Sequence, residues 1–205
     1  MEPLLQRATQ FVNDQQYFQR GVGRAHFIPN PCMIASCSAF QRFAKGASLT
    51  QLLDISAQCQ IAFHGTAKEA VGAICCRGFD VARRHGQAHG PGEYFGATAD
   101  ISASYARGSE QMIVCALITN KVANCQGGSI LVVNNPTNDP SQTFVIPLGV
   151  VLFGATTLNH QLAPGGRLGE DVFSCTYPKQ DASLAQGKQL VDTARRRCSE
   201  PISPE

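Results

Sequence analysis

The sequence predicts an α+β domain built on a mostly antiparallel sheet. Two observations predict it. About six short strand patterns and four or five helical ones follow one another without βαβ regularity. One of them, residues 111–119 (QMIVCALIT), is a nearly continuous apolar run that fits a central strand buried on both faces.

The elements follow in order. Leu4, Leu5, Ala8, Phe11, Val12, Gln15 and Phe18 recur at spacings of three and four, which predicts an amphipathic helix over residues 3–20, ended by Gly21 and Gly23. Residues 24–46, with Pro29 and Pro31, predict loop with a short helix near 38–43. Ser48-Leu49-Thr50-Gln51 has the form of a capping box and opens a helix carrying Leu52, Leu53 and Ile55. Residues 60–63 predict a strand that delivers His64-Gly65 at its end. Thr66-Ala67-Lys68-Glu69 reads as a second capping box, and Gly78 as the stop of its helix.

Residues 80–92 are rich in turn formers and predict a loop. Glu93-Tyr94-Phe95 is a short strand. Asp100 can cap a helix over 101–107 that places Ser102 and Tyr105 on one face. Further strands are expected at 129–134, 143–146 and 150–153, the last two interrupted at Pro147 and Gly149. Beyond 154 the pattern weakens to a loop at 164–166, a strand at 172–177 and a helix at 182–197 ending in Arg195-Arg196-Arg197. That basic run suits a solvated helix end.

Composition excludes several classes. A chain of 205 residues with 43% hydrophobic and 16% charged residues has enough apolar surface for a core, so it is not disordered. A net charge of +2 neither demands nor excludes a nucleic-acid partner. There is no stretch of 18 apolar residues, so no membrane helix is expected. Nine cysteines, an odd number without a C-x-x-C pair, read as reduced, structural thiols, with no metal site expected. The first residues lack the apolar run of a signal peptide, and the expected compartment is the cytoplasm or nucleus.

Chemistry concentrates in one region. A histidine ending an apolar strand can bind a ligand hydroxyl through one ring nitrogen while the protein fixes the other. Gly65 has no Cβ to keep a ligand from its backbone, whose N–H and C=O match a carboxamide. Tyr94, flanked by Gly92 and Gly96, and Tyr105 come from different elements and can sandwich an aromatic ring. Alone, each is also what an ordinary strand end or core tyrosine looks like.

Together they are more specific. F-H-G-T, then H-G-P-G-E-Y-F-G, then Ser102 and Tyr105 at eight and eleven residues after Tyr94, resemble the catalytic domain of the poly(ADP-ribose) polymerase family, the diphtheria-toxin-like ADP-ribosyltransferases. The resemblance covers residues 60–153. It implies the ADP-ribosyltransferase fold, a split and mostly antiparallel β-sheet with flanking helices. It also implies a catalytic domain over 48–205, with 1–47 as a helical extension packed on it.

By this resemblance NAD is the donor. His64 bonds the adenosine ribose, and Thr66 joins the NAD-binding set. Gly65 pairs with the nicotinamide carboxamide, and Ser102 adds a hydroxyl to it. Tyr94 and Tyr105 stack on the ring, and residues 80–92 close over the donor. Arg83, Arg84, His85 and His89 are candidate cations for the pyrophosphate, or solvated loop residues.

Polymer-forming members carry a glutamate where this chain has Thr143, so the catalytic triad reads His64, Tyr94, Thr143. A shift by one residue offers Gln142, also neutral. Glu93 is the one nearby carboxylate, on the opposite face of its strand from Tyr94. The implied activity is mono-ADP-ribosylation of a macromolecular acceptor, a protein before a nucleic acid. The alternatives are an inactive NAD- or ADP-ribose-binding member and an NAD glycohydrolase.

Overall fold

Alternation along one strand fills two cores at once. On β4 (Gln111–Ile118), Met112, Val114 and Ala116 face one side, and Ile113, Cys115 and Leu117 the other; all six are fully buried. A strand buried on both faces must be central, and β4 lies third in a seven-stranded sheet of order β1-β7-β4-β2-β3-β6-β5. The structure is a computed structural model and describes residues 2–20, 25–30, 58–136 and 143–154. These belong to the first of two units of the chain, Met1–Cys175; the second, Thr176–Glu205, lies outside them.

The other strands are β1 (His26–Pro29), β2 (Cys59–His64), β3 (Glu93–Gly96), β5 (Val122–Cys125), β6 (Ile130–Val133) and β7 (Val145–Leu152). Every pairing among them is antiparallel. β2 and β4 pair over six residues, but β2 and β3 meet only at Phe63 and Gly96. The sheet therefore opens between β2 and β3, beyond His64 on one lip and before Phe95 on the other.

One face carries α1 (Glu2–Asn13), α2 (Gln16–Gln19) and α4 (Ala99–Ala103); the other carries α3 (Lys68–Arg77). Leu4, Ala8, Val12 and Phe18 enter the first core, where Phe11 stacks on Phe63 at 4.9 Å between ring centroids. Val71 and Cys75 of α3 enter the second, beside Phe79, Phe95 and Leu131. Cys59, Cys75, Cys76, Cys115 and Cys125 are not in disulfides. Burial pushes the Cys59 thiol up to about 11 and raises Cys115 as well, which suits small apolar fillers better than reactive groups.

Several elements differ from expectation. The helix over 3–20 breaks at Gln15, whose backbone is extended. Its side chain bridges instead: Nε2 donates to the Phe11 carbonyl at 3.2 Å, and Oε1 accepts the Ala99 N–H at 3.0 Å. Residues 26–29, expected as loop, form an edge strand, where the N–H that Pro29 lacks is least missed. The strand β5 was not anticipated; its residues are exposed or half-buried and carry no alternation.

The Thr66 capping box does not form. α3 starts at Lys68 with Ala67 at its cap and no side-chain cap bond, while its Gly78 stop is as expected. α4 begins two residues early, at Ala99 after Thr98, and ends at Ala103. β7 runs through Pro147 and Gly149 without interruption, because a bulge leaves Leu148 unopposed between the Val114–Gly149 and Cys115–Pro147 pairs. The elements expected at 38–43, 48–55, 164–166, 172–177 and 182–197, and Gln142, lie outside the described residues.

Candidate functional site

The open end of the sheet is held by one serine. Ser102 of α4 is 2% exposed; its hydroxyl donates to the Phe63 carbonyl at 2.8 Å and accepts the Gly96 N–H at 3.1 Å. Those are the two residues of the single β2–β3 pair, so Ser102 takes over the ladder where the strands part. Two glycines make room for it. A Cβ on Gly96 would lie 2.6 Å from Ser102 Oγ, and one on Gly65 would lie 1.9 Å from the Ser102 carbonyl oxygen. Gly65 is therefore required by α4 pressing on the turn after β2. The Ser102 proton is likewise committed to Phe63.

His64 and Tyr94 are joined across the opening through the main chain. His64 Nδ1 donates to the Tyr94 carbonyl oxygen at 2.8 Å. A carbonyl only accepts, so Nδ1 carries the hydrogen and the neutral ring keeps Nε2 as an acceptor. The expected ring N–H toward a ligand becomes a lone pair. The ring lies edge-on to Phe79 at 4.9 Å and tilted to Phe95 at 5.5 Å. Burial lowers its pKa from 6.5, against the opposing pull of the Tyr94 carbonyl bond and the Glu93 charge, so the ring is neutral at pH 7.

A lowered folded-state value means that the unfolded chain binds the extra proton more readily. His64 thus contributes stability above pH 6.5, which is lost as the pH falls from there toward the folded value. Thermal melts of the wild type and of His64→Gln between pH 5 and 8 are expected to diverge only on the acid side. The excess wild-type slope should be at most about 1.4 kcal/mol per pH unit. Parallel profiles would show that His64 is not the group that titrates.

Tyr94 points away from Glu93 and Phe95. Its hydroxyl ties down the 80–92 loop, donating to the Gly90 carbonyl at 2.8 Å and accepting the His89 N–H at 2.7 Å. The His89 ring lies 6.2 Å from the Tyr94 ring, and its Nε2 is 3.2 Å from Gln126 Nε2. Tyr105 sits in the turn after α4, with its N–H on the Ser102 carbonyl at 3.1 Å, and is 60% exposed. The two tyrosine rings make no ring contact with each other. Among the described residues neither the N–H nor the C=O of Gly65 has a hydrogen-bond partner. The Thr66 carbonyl accepts Ser109 Oγ at 3.4 Å, and the Thr66 hydroxyl has no partner among the described residues.

Thr143 stands apart from these residues. It is 7% exposed, and its one proton is shared between Asn135 Oδ1 and the Val145 carbonyl, each at 3.1 Å. Its Oγ1 also accepts the Val145 N–H, which makes it a local cap for β7. Thr143, expected as a catalytic hydroxyl, is engaged in the wall in this structure. Glu93 is not a substitute carboxylate either. It is buried, with Oε1 on Arg84 Nε at 2.8 Å and Oε2 on Asn135 Nδ2 at 2.6 Å. Arg84 is thereby withdrawn from the pyrophosphate role, while Arg83 is exposed and pairs with Asp80 at 3.5 Å. His85 is exposed.

Sequence reasoning missed Asn134 and Asn135. One signal was available: Glu93 shares the inward side of β3 with Phe95, and a buried carboxylate must find a partner.

An antiparallel sheet split beyond a strand-end His-Gly, with a glycine-flanked tyrosine on the facing lip, defines an ADP-ribosyltransferase domain. The sequence profile of the poly(ADP-ribose) polymerase catalytic domain matches residues 15–144, more than half of the chain, and the chain belongs to that family. Among solved structures it is similar to the PARP domain of Arabidopsis RADICAL-INDUCED CELL DEATH1, at 16% identity and a TM-score of 0.48, over 75% of this chain and 98% of that one. No curated protein matches it. Domains of this family use NAD as substrate.

Proposed function

We propose that the chain binds NAD at the β2–β3 opening and transfers single ADP-ribose units to a macromolecular acceptor, releasing nicotinamide. The observation that carries this is Gly65. Among the described residues its N–H and C=O have no partner, it lies at the end of β2 against the turn that carries Tyr105, and it supplies the one donor and one acceptor that a carboxamide needs. Tyr94 and the exposed Tyr105 then stack on the nicotinamide, Tyr105 swinging inward. His64 Nε2 accepts a hydroxyl of the adenosine ribose, and Thr66 Oγ1 bonds the same part of the donor. Ser102 acts by joining Phe63 to Gly96 beside the opening.

The nicotinamide–ribose bond breaks toward an oxocarbenium-like state, which the acceptor nucleophile captures at C1″. Catalysis comes from positioning and electrostatics. In this reading the catalytic domain spans 48–205 with 1–47 packed on it, the acceptor is a protein before a nucleic acid, and the compartment is cytoplasmic or nuclear.

The engaged Thr143 favours one further reading, a member that binds NAD without turning it over. NAD labelled on its adenosine, incubated with the protein and a lysate, separates the cases. Label retained on macromolecules is expected. Free ADP-ribose alone would mean a glycohydrolase, and binding without turnover an inactive member.

Thr143→Ala should leave transfer within about twofold and cost about 1 kcal/mol of stability, since only intramolecular hydrogen bonds are lost. Thr143→Glu should not yield polymer. It puts a second buried carboxylate on Asn135, which already serves Glu93, and Arg84 can neutralise only one. A ladder or smear of automodified Thr143→Glu on a gel would contradict this.

A further inference from the structure

The loop over residues 80–92 is anchored at two places, and the second serves no step in the mechanism above. Arg84 spends all three guanidinium nitrogens on it. Nε donates to Glu93 Oε1 at 2.8 Å, Nη1 to Asn134 Oδ1 at 3.0 Å and Nη2 to the Asn135 carbonyl at 2.9 Å. The Arg84 and Glu93 side chains are 12% and 4% exposed. Asn135 completes the junction. Its Nδ2 donates to Glu93 Oε2 at 2.6 Å, and its Oδ1 accepts the Phe144 N–H at 2.7 Å and the Thr143 hydroxyl at 3.1 Å.

One loop side chain thus grips β3 and the segment after β6, and through Asn135 the start of β7. The charges are paired and nearly every polar atom is satisfied, the condition under which a buried network rigidifies what it joins. Glu93 is also the residue before Tyr94. Tyr94 is held independently of that network, its carbonyl by His64 and its hydroxyl by His89 and Gly90.

We infer that Arg84 and Glu93 are positioning residues that latch the 80–92 loop onto the β3 lip, so that the loop meets NAD already closed. The part about NAD rests on the function proposed above. Neither residue touches the nicotinamide. A ligand whose competent conformer is only partly populated binds more weakly in proportion to that fraction, so a loop released nine-tenths of the time would weaken NAD about tenfold. Nicotinamide alone, held by Gly65 and the tyrosines, would be spared.

Arg84→Gln and Arg84→Lys test this. Lysine keeps the charge but offers one nitrogen where the fork uses three. In both variants amide exchange over 80–92 is expected to accelerate about tenfold or more, with β2 and β4 protected as in the wild type. NAD affinity should fall about tenfold while nicotinamide affinity changes less than about twofold. If Arg84→Gln does not fold, Arg84→Gln/Glu93→Gln carries the same test without leaving a buried charge unpaired.

Unchanged loop exchange in a folded variant, or wild-type protection in Arg84→Lys, overturns the latch. Equal weakening of NAD and nicotinamide overturns positioning in favour of general loosening. Should the wild type bind no NAD, the proposed function fails and so does positioning for it; loop exchange then still decides whether Arg84 holds the loop.

Discussion

Gly65→Ala is expected to abolish NAD binding and to lower stability by at least about 3 kcal/mol, more than most overpacking substitutions cost. The new methyl carbon would lie 1.9 Å from the Ser102 carbonyl oxygen and 3.0 Å from the Ala106 nitrogen. Both are backbone atoms, so relief means moving α4 or β2. Moving α4 pulls Ser102 Oγ off Phe63 and Gly96 and opens the single ladder pair between β2 and β3. Melting should fall by roughly 6–12 °C, from about 2–4 °C per kcal/mol in a chain of this size. A Gly65→Ala protein melting with the wild type and binding NAD equally would refute the close approach. In the milder Ser102→Ala, which keeps the backbone spacing, NAD affinity should survive better than stability.

Tyr94→Ala is expected to reduce transfer about a hundredfold or more, with the core intact. The ring supplies one face of the proposed stack, and aromatic stacking of this kind contributes about 1–3 kcal/mol. Its hydroxyl adds two bonds to the loop, each contributing about 0.5–1.5 kcal/mol. Tyr94→Phe separates the two. It should keep nicotinamide affinity near the wild type while loosening residues 89 and 90, so NAD suffers more than nicotinamide. The His64 bond goes to the Tyr94 carbonyl and persists in both variants. Full activity in Tyr94→Ala would remove Tyr94 from the site.

How far the site could be read in advance depended on the range of the interactions. The motif spacing was legible because Ser102 must reach back six residues to Gly96, a contact set by one strand and one short helix. The loop over 80–92 and the stop at Gly78 were legible because their signals are local. Where the reading failed, a distant partner had decided. Gln15 left its helix for the Ala99 N–H, eighty-four residues away. Residues 26–29 became a strand because β7 offered an edge more than a hundred residues later. Pro147 stayed inside β7 because a bulge against β4 absorbed it.

The sequence by itself determined the family, the antiparallel architecture and the identity of the lip residues His64, Gly65 and Tyr94. Each follows from residue type at short spacing, which strand alternation and turn chemistry translate directly into place. Only the tertiary structure decided what those residues are free to do. It put the proton of His64 on Nδ1, committed the Ser102 hydroxyl to the strand joint and engaged Thr143 in the wall. It also paired Glu93 with Arg84 instead of leaving a carboxylate in the cleft. The reason is that a polar group buried on folding must be satisfied. Which partner satisfies it is set by neighbours in space that no local pattern names.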